Sequence, residues 1–315
     1  MYYKIKGQEV MQKVIVICGP TASGKTALSI ELAKKIDGQI VSADSMQIYD
    51  EMNIGTAKPD EEEMQGIKHY LVGNIKPTRR YSVSQYKKDA TQAIEEIISN
   101  KKFPIVVGGT GLYVNSLIYG IEYPEIDIDL EYRKQLEEDA ESNGLENLYK
   151  RACKIDPEAM KKISENDKKR ILRVLEIYKQ TNKTKTQLEK ESREKGVNFD
   201  FKVFAIDYER EKLYERINKR VDIMMEKGLL QEVKELYKKY GDELLTSGQA
   251  IGYKELIDYI NNKCSLDEAV EKIKQESRRY AKRQLTWFRK IENIVWLNGM
   301  DSVQMNIEKI LEEIK

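Results

Sequence analysis

The chain has 315 residues, enough for one large or two modest domains, and its 54 Lys and Arg against 53 Asp and Glu leave a net charge of only +1. Three scattered cysteines and one histidine argue against a disulfide framework and a Cys/His zinc site, and fit a reducing cytoplasm. No apolar stretch approaches the roughly 18–20 residues of a membrane span, and Met1–Val10, ahead of a second methionine at Met11, lack the apolar core of a secretory leader.

Val14–Cys18 reads as a buried strand, followed by Gly19, Pro20, Thr21, Ala22, Ser23, Gly24, Lys25 and Thr26 and then a helix over Ala27–Ile36. The eight residues fit G-x-x-x-x-G-K-[ST], a phosphate-binding loop between strand and helix. Its backbone N–H groups point at a phosphate chain, Lys25 adds a point charge, and the Thr26 hydroxyl can hold Mg²⁺. The loop calls for a bound polyphosphate. It does not say that the phosphate is transferred, and a small-molecule or nucleotide kinase binding ATP would use the same run.

A second strand, Gln39–Ala43, ends at Asp44-Ser45. Asn53–Lys68 reads as a polar loop, Lys88–Ser99 as a helix, and Pro104–Val107 as a third strand ending in Gly108-Gly109-Thr110-Gly111. From about Glu131 to Glu194 the chain is charged and helical without a strand. Lys202–Ile206 returns as a strand, the chain is helical again from Arg210, and Asn293–Leu297 is a last strand. The pattern predicts an α/β fold, a P-loop NTPase-like parallel sheet covered by helices, with a helical insertion and a C-terminal helical region. The expected core is 11–120 with 200–315, and the insertion 121–199.

Ligands gather at the carboxyl ends of parallel strands, where the phosphate loop, Asp44-Ser45 and Gly109-Thr110 fall. Asp44 reads equally as a general base or magnesium-associated carboxylate and as a cap of the next turn. Pro104–Val107 ends without the Asp that a kinase would place there. The run Arg278–Lys290 carries six cations and no acid in thirteen positions, with Tyr280, Trp287 and Phe288 as aromatic surface. It suits phosphates and unpaired bases, or is a solvated helix face. Acidic runs stand at Asp60–Glu63 and Glu125–Glu131. In Asn166–Glu176, Arg170, Arg173 and Glu176 follow at helical spacing, which by itself predicts a surface ion pair. Neither Arg133 nor Arg220 carries an independent signal. His69 reads as structural, and Gln249 and Gly252-Tyr253 as a turn before a helix.

Together these motifs resemble the bacterial tRNA dimethylallyltransferase (tRNA isopentenyltransferase) family. The resemblance rests on Gly19–Thr26, Asp44-Ser-Met-Gln-Ile-Tyr49, Asn53-Ile-Gly-Thr-Ala-Lys-Pro59, His69-Tyr-Leu71, Gly108-Gly-Thr-Gly-Leu-Tyr113, Asn166–Arg173, Ile251-Gly-Tyr-Lys254 and Tyr280–Arg289, and it spans about Val14 to Arg289. It implies transfer of a dimethylallyl group from dimethylallyl diphosphate to N6 of adenosine 37 in the tRNA anticodon stem-loop. Gly19–Thr26 would then bind the diphosphate, with Mg²⁺ on Thr26. Asp44, Thr110 and Arg220 would be catalytic: Asp44 as the base, Thr110 as a positioner in mid-channel, and Arg220 on the diphosphate. By the same resemblance tRNA meets Asp44, Ser45, Met46, Gln47, Thr110 and Arg133, and Lys169, Arg170, Ile171, Leu172 and Arg173. It also meets Ala250, Ile251, Gly252, Tyr253, Lys254 and Glu255, and Lys282, Arg283, Gln284, Leu285, Thr286, Trp287, Phe288 and Arg289. The insertion would lie against the anticodon stem. Gly111 departs from the larger residue of many members, which is expected to alter channel width. A cytoplasmic monomer without membrane contact is expected. The basic block and the insertion favour tRNA over the free nucleotide of an adenylate isopentenyltransferase.

Overall fold

A computed structural model describes residues 2–5, 8–123, 129–194 and 196–315. Met1 and the start of the second acidic run, residues 125–128, lie outside them. The chain divides into two compact units, Met1–Asn115 with Asn198–Lys315, and Ser116–Val197.

The larger unit is built on six strands. After a small antiparallel hairpin of β1 (Tyr2–Ile5) and β2 (Gln8–Met11), the sheet comprises β3 (Lys13–Cys18), β4 (Gly38–Ser42), β5 (His69–Tyr70), β6 (Phe103–Gly108), β7 (Asp200–Asp207) and β8 (Val295–Asn298). Their order is β5-β4-β6-β3-β7-β8, and all neighbours are parallel. The four long strands match the apolar runs of the sequence. A parallel sheet covered on both faces needs such near-continuous Val/Ile stretches. β5 has two residues, too few to show a period, and the hairpin was not foreseen.

In chain order the helices are α1 (Lys25–Ile36), α2 (Glu61–Met64), α3 (Val83–Ser99) and α4 (Gly111–Ile118), then α5 (Leu130–Asn143), α6 (Leu145–Ile155), α7 (Pro157–Met160), α8 (Lys168–Thr181) and α9 (Lys185–Glu194). They continue with α10 (Arg210–Glu226), α11 (Leu229–Tyr240), α12 (Tyr253–Ile260), α13 (Leu266–Phe288) and α14 (Val303–Glu313). Local chemistry sets several starts. Asp60 and Ser265 close capping boxes with Glu63 and Glu268, so the expected loop over 53–68 contains a helical turn. Ser82, Asp129, Asp167 and Ser302 each cap an N-terminus through the side chain.

One core joins Ile15, Ile17, Ile105 and Phe204 of the sheet to Leu28 and Leu32 of α1 and Ile307 and Ile310 of α14. A second gathers Ile48, Tyr49 and Met52 under α10–α13 through Val221, Leu229, Tyr253 and Ile273. The smaller unit has its own core, with Leu136, Leu148, Ile171, Leu172 and Leu175 buried between α5, α6 and α8. Burying such side chains contributes about 1.5–3 kcal/mol each, so each unit is held by its own apolar interior.

Candidate active site

The phosphate loop leaves β3 and enters α1 through Gly24, whose φ of 86° lies in the left-handed region that glycine adopts without strain. No side chain caps α1, so the N–H groups of its first turn stay open to an anion. The Lys25 ammonium folds back on the loop, donating to the Pro20 carbonyl at 2.7 Å and reaching Ser23 Oγ at 3.5 Å. Burial and the neighbouring Arg220 cation pull its pKa down to about 8, against the opposing pull of Asp44. Burial also lowers the Arg220 pKa, and Asp44 again counteracts it. Arg216, one turn before Arg220 on α10, donates from Nε to the Ala22 carbonyl at 2.8 Å and braces the loop from outside. Two cations are thus held close together near one carboxylate, an arrangement that a polyanion would relieve.

Asp44 follows β4 directly. Its Oδ1 accepts the backbone N–H of Met46 at 2.9 Å and of Gln47 at 3.3 Å. The turn is capped by one oxygen alone, and Oδ2 takes no hydrogen bond among the described residues. Asp44 lines a cavity of about 310 Å³ with Thr21, Ser45, Thr56, Arg220, Tyr280 and Arg283, while Met46, Ile217, Val221, Met224, Ile251 and Ile273 supply an apolar wall. Thr110 is not part of that lining. Its hydroxyl accepts Ser45 N at 3.0 Å and donates to Ser45 Oγ at 3.2 Å, so it fixes Ser45, which does line the cavity. Burial and the charge of Asp44 push the Tyr280 phenol up, which keeps it a neutral donor beside Thr110.

The basic run divides by environment. Lys282, Arg283, Thr286 and Arg289 are exposed. Arg278 is spent on Asn218 at 2.5 Å and Arg279 on Glu276 at 2.6 Å. Arg289 and Lys290 lie beyond the helix end. Phe288 is wholly buried, so it is core and not aromatic surface. Gln284 is also buried, and the sequence held no sign of its role. Its Oε1 accepts Thr21 N at 2.9 Å and its Nε2 donates to Gly109 O at 2.8 Å, joining the loops after β3 and β6. A Cβ on Gly109 would come within 2.2 Å of that amide nitrogen. Gly111 is set by space as well: a Cβ there would sit 2.4 Å from Trp287, so it admits the indole and is absent from the cavity lining.

Among Ala250–Glu255, Ala250, Tyr253 and Glu255 are buried, and Glu255 is taken up in capping the Gly252 N–H at 2.8 Å. Ile251 and Gly252 line the cavity, and Lys254 is exposed. His69 is structural, with Nδ1 2.8 Å from the Ile67 carbonyl in the edge strand. Burial pushes the Cys18 thiol beneath the loop up to about 12, which makes it inert.

In the smaller unit the Arg–Glu pair is not on the surface. Glu176 is buried and accepts Arg133 Nε at 2.7 Å and Nη2 at 3.3 Å, with Arg173 Nη1 at 3.5 Å. Arg133, unremarkable in sequence, is half of a bidentate pair. Ile171 and Leu172 are core residues there, so only Lys169, Arg170 and Arg173 of that run present side chains outward.

The six-stranded parallel sheet with a G-x-x-x-x-G-K-[ST] loop after β3 places the chain in the class of P-loop-like α/β proteins. Sequence comparison narrows the class. The family model described as IPP transferase matches residues 47–291. Tens of residues beyond each end are covered by relatives: a tRNA dimethylallyltransferase of Acetivibrio thermocellus is 51% identical over 305 residues, covering 97% of each chain. Another, of Halothermothrix orenii, is 47% identical over 302 residues, 96% of this chain and 91% of the relative. The tRNA isopentenylpyrophosphate transferase structure of Bacillus halodurans superposes with a TM-score of 0.72 at 41% identity, over 96% of this chain and 95% of that one. A eukaryotic dimethylallyltransferase acting on tRNA gives 0.78 at 32% identity, over 96% of this chain and 78% of that one. The chain belongs to the IPP transferase family.

Proposed function

We propose that this chain transfers a dimethylallyl group from dimethylallyl diphosphate to N6 of adenosine 37 in tRNA, releasing diphosphate. The observation that carries the reading is the free oxygen of Asp44, in a cavity with an apolar wall and close to the half-buried cations Lys25 and Arg220. The wall suits a five-carbon tail, and the loop suits the diphosphate at its end.

The N6 lone pair is delocalised into the adenine ring, so the amine is a weak nucleophile. As N6 bonds to the allylic carbon, the carbon–oxygen bond to diphosphate breaks, its electron pair leaves with the diphosphate, and the N6 proton passes to Asp44. Lys25, Arg220 and the open N–H groups of α1 stabilise the charge that develops on the leaving oxygens. Thr110 keeps Ser45 in place beside Asp44, and Gln284 holds the phosphate loop against the Gly109 turn. A base within a stack could not enter the cavity, so adenosine 37 is flipped out.

The donor set also suits Mg²⁺. Among the described residues no group of three or more His, Cys, Asp or Glu gathers into a dedicated cage. Magnesium favours such sparse sites, taking one or two protein oxygens and completing its shell with phosphate and water. Thr26 would hold it, and it would add charge neutralisation on the diphosphate.

The exposed cations of α13, with Lys254 of α12, are offered as the tRNA-facing surface of the larger unit, and Lys169, Arg170 and Arg173 as that of the smaller. The working unit is proposed to be one chain, acting in the cytoplasm. The deciding experiment incubates the protein with unmodified tRNA, Mg²⁺ and labelled dimethylallyl diphosphate, and in parallel with labelled ATP. Label on adenosine 37 is expected. ATP turnover without tRNA labelling would refute the reading.

A further inference from the structure

Glu232, in the first turn of α11, accepts four hydrogen bonds. Oε2 takes the backbone N–H of Asn53 at 2.9 Å and Ile54 at 2.8 Å, and Oε1 takes Gly55 N–H at 3.1 Å and the Tyr253 hydroxyl at 2.6 Å. Successive N–H groups turned to one side form a concavity for an anion. Here the chain fills it with its own carboxylate, brought from 178 residues away in the case of Ile54.

The other side of that loop belongs to the active cavity. Gly55 and Thr56 line it. The carbonyls of Thr56 and Ala57 accept Gln47 Nε2 at 3.2 and 3.0 Å, and the Gln47 backbone N–H donates to Asp44 Oδ1 at 3.3 Å. Hydrogen bonds thus run from Glu232 through the loop and Gln47 to the carboxylate that takes the proton. The loop is also braced by local contacts: Thr56 Oγ1 to Met52 O at 2.6 Å, Lys58 Nζ to Tyr49 O at 2.6 Å, and the backbone bonds Ala57 N to Ile54 O and Lys58 N to Asn53 O, both 3.0 Å. The fully buried ring of Tyr253 lies against Gly55, where a Cβ would fall 2.4 Å from it. A larger residue there would have to displace the ring.

We infer that Glu232 is a positioning residue for the transfer: its carboxylate clamps the Asn53–Ala57 loop, and the loop, through Gln47, aims Asp44. The inference rests on the prenyl transfer proposed above. It requires a carboxylate, because all four partners are donors. Glutamine would turn an NH₂ group against at least one backbone N–H, that of Gly55 in one amide orientation and those of Asn53 and Ile54 in the other.

The test compares wild type with Glu232→Gln and the milder Tyr253→Phe, which removes one of the four donors. Three quantities are read: amide hydrogen exchange at 53–57 and at 19–26, affinity for inorganic diphosphate, and single-turnover labelling of tRNA. In Glu232→Gln, exchange at 53–57 is expected to accelerate and labelling to slow by about ten- to a hundred-fold, as for loss of charge-assisted hydrogen bonds. Exchange at 19–26 and diphosphate affinity should hold, because the phosphate loop is outside this network. Tyr253→Phe should show the same pattern more weakly, and it carries the test if Glu232→Gln does not fold. Labelling unchanged in both variants overturns the inference. So does a parallel fall of labelling, diphosphate affinity and protection at 19–26, the mark of general unfolding. Wild type that exchanges as expected yet labels no tRNA overturns the activity reading, and the loop clamp then stands without a transfer to serve.

Discussion

Asp44 and Glu176 are two carboxylates near arginines, and the molecule treats them in opposite ways. Glu176, in the smaller unit, is closed off: Arg133 grips both its oxygens and Arg173 flanks one of them. Asp44, in the larger unit, caps a turn with one oxygen and leaves the other uncommitted in a cavity. A fully paired carboxylate holds structure together, while a half-paired one keeps capacity for a proton. The cations divide likewise, Arg278 and Arg279 being engaged and Lys282 and Arg283 forming no ion pair among the described residues.

Asp44→Asn puts the sharpest strain on this contrast, because asparagine can still cap the turn but cannot accept the proton. Single-turnover transfer should fall by about 10²–10⁴-fold. Affinity for tRNA in a filter-binding assay should stay level, and a loss of binding with intact chemistry would return Asp44 to the structural class. Glu176→Gln should do the reverse. Stripping the charge from a buried pair should lower the opening free energy of α8 amides by about 2–3 kcal/mol in hydrogen exchange, with diphosphate affinity untouched. Exchange is the suitable measure because a chain of two units need not melt in one step.

Lys25 offers a graded version. Its ammonium loses its proton near pH 8, so diphosphate affinity should fall by up to about tenfold per pH unit above that point, and binding near pH 8 should take up protons in calorimetry. Lys25→Met should abolish the slope. The stability sign is opposite: between pH 8 and the ordinary 10.5 the unfolded chain binds the proton more tightly, so the ligand-free protein should gain stability as pH rises through that window. The smallest effect is expected at the exposed cations. Lys282→Ala and Arg283→Ala should each reduce the slope of log affinity against log salt by about 0.7–0.9 for tRNA, whereas Arg279→Ala, already paired to Glu276, should not.

What the sequence made readable follows from distance along the chain. Gly19–Thr26 is legible because its chemistry is local: glycine, lysine and threonine act within eight residues. Asp44 was visible as a carboxylate at a strand end, though its double role needed the geometry. The Glu176 pair was half legible, since Arg173 is one turn away, but the burial comes with Arg133 from 43 residues off. Gln284 was expected at the tRNA by resemblance alone, because neither motif nor charge pattern shows that one amide points inward. Its partner Thr21 is 263 residues distant. Glu232 gave no signal, being one acid on a charged helix whose partners are backbone groups. Within Ala250–Glu255 and Lys282–Arg289, residues facing outward alternate with core residues, and only the folded helices sort them.

The Gln284 bridge has a consequence in time. The phosphate loop leaves a ribosome well before α13, and the Thr21 amide receives its acceptor only when residue 284 has been added. At about 5–20 residues per second, that wait is on the order of tens of seconds. The nascent chain thus carries its binding motif long before the Gln284 bridge can seat it, and a chain cut short before α13 would lack that hold on the Gly109 turn.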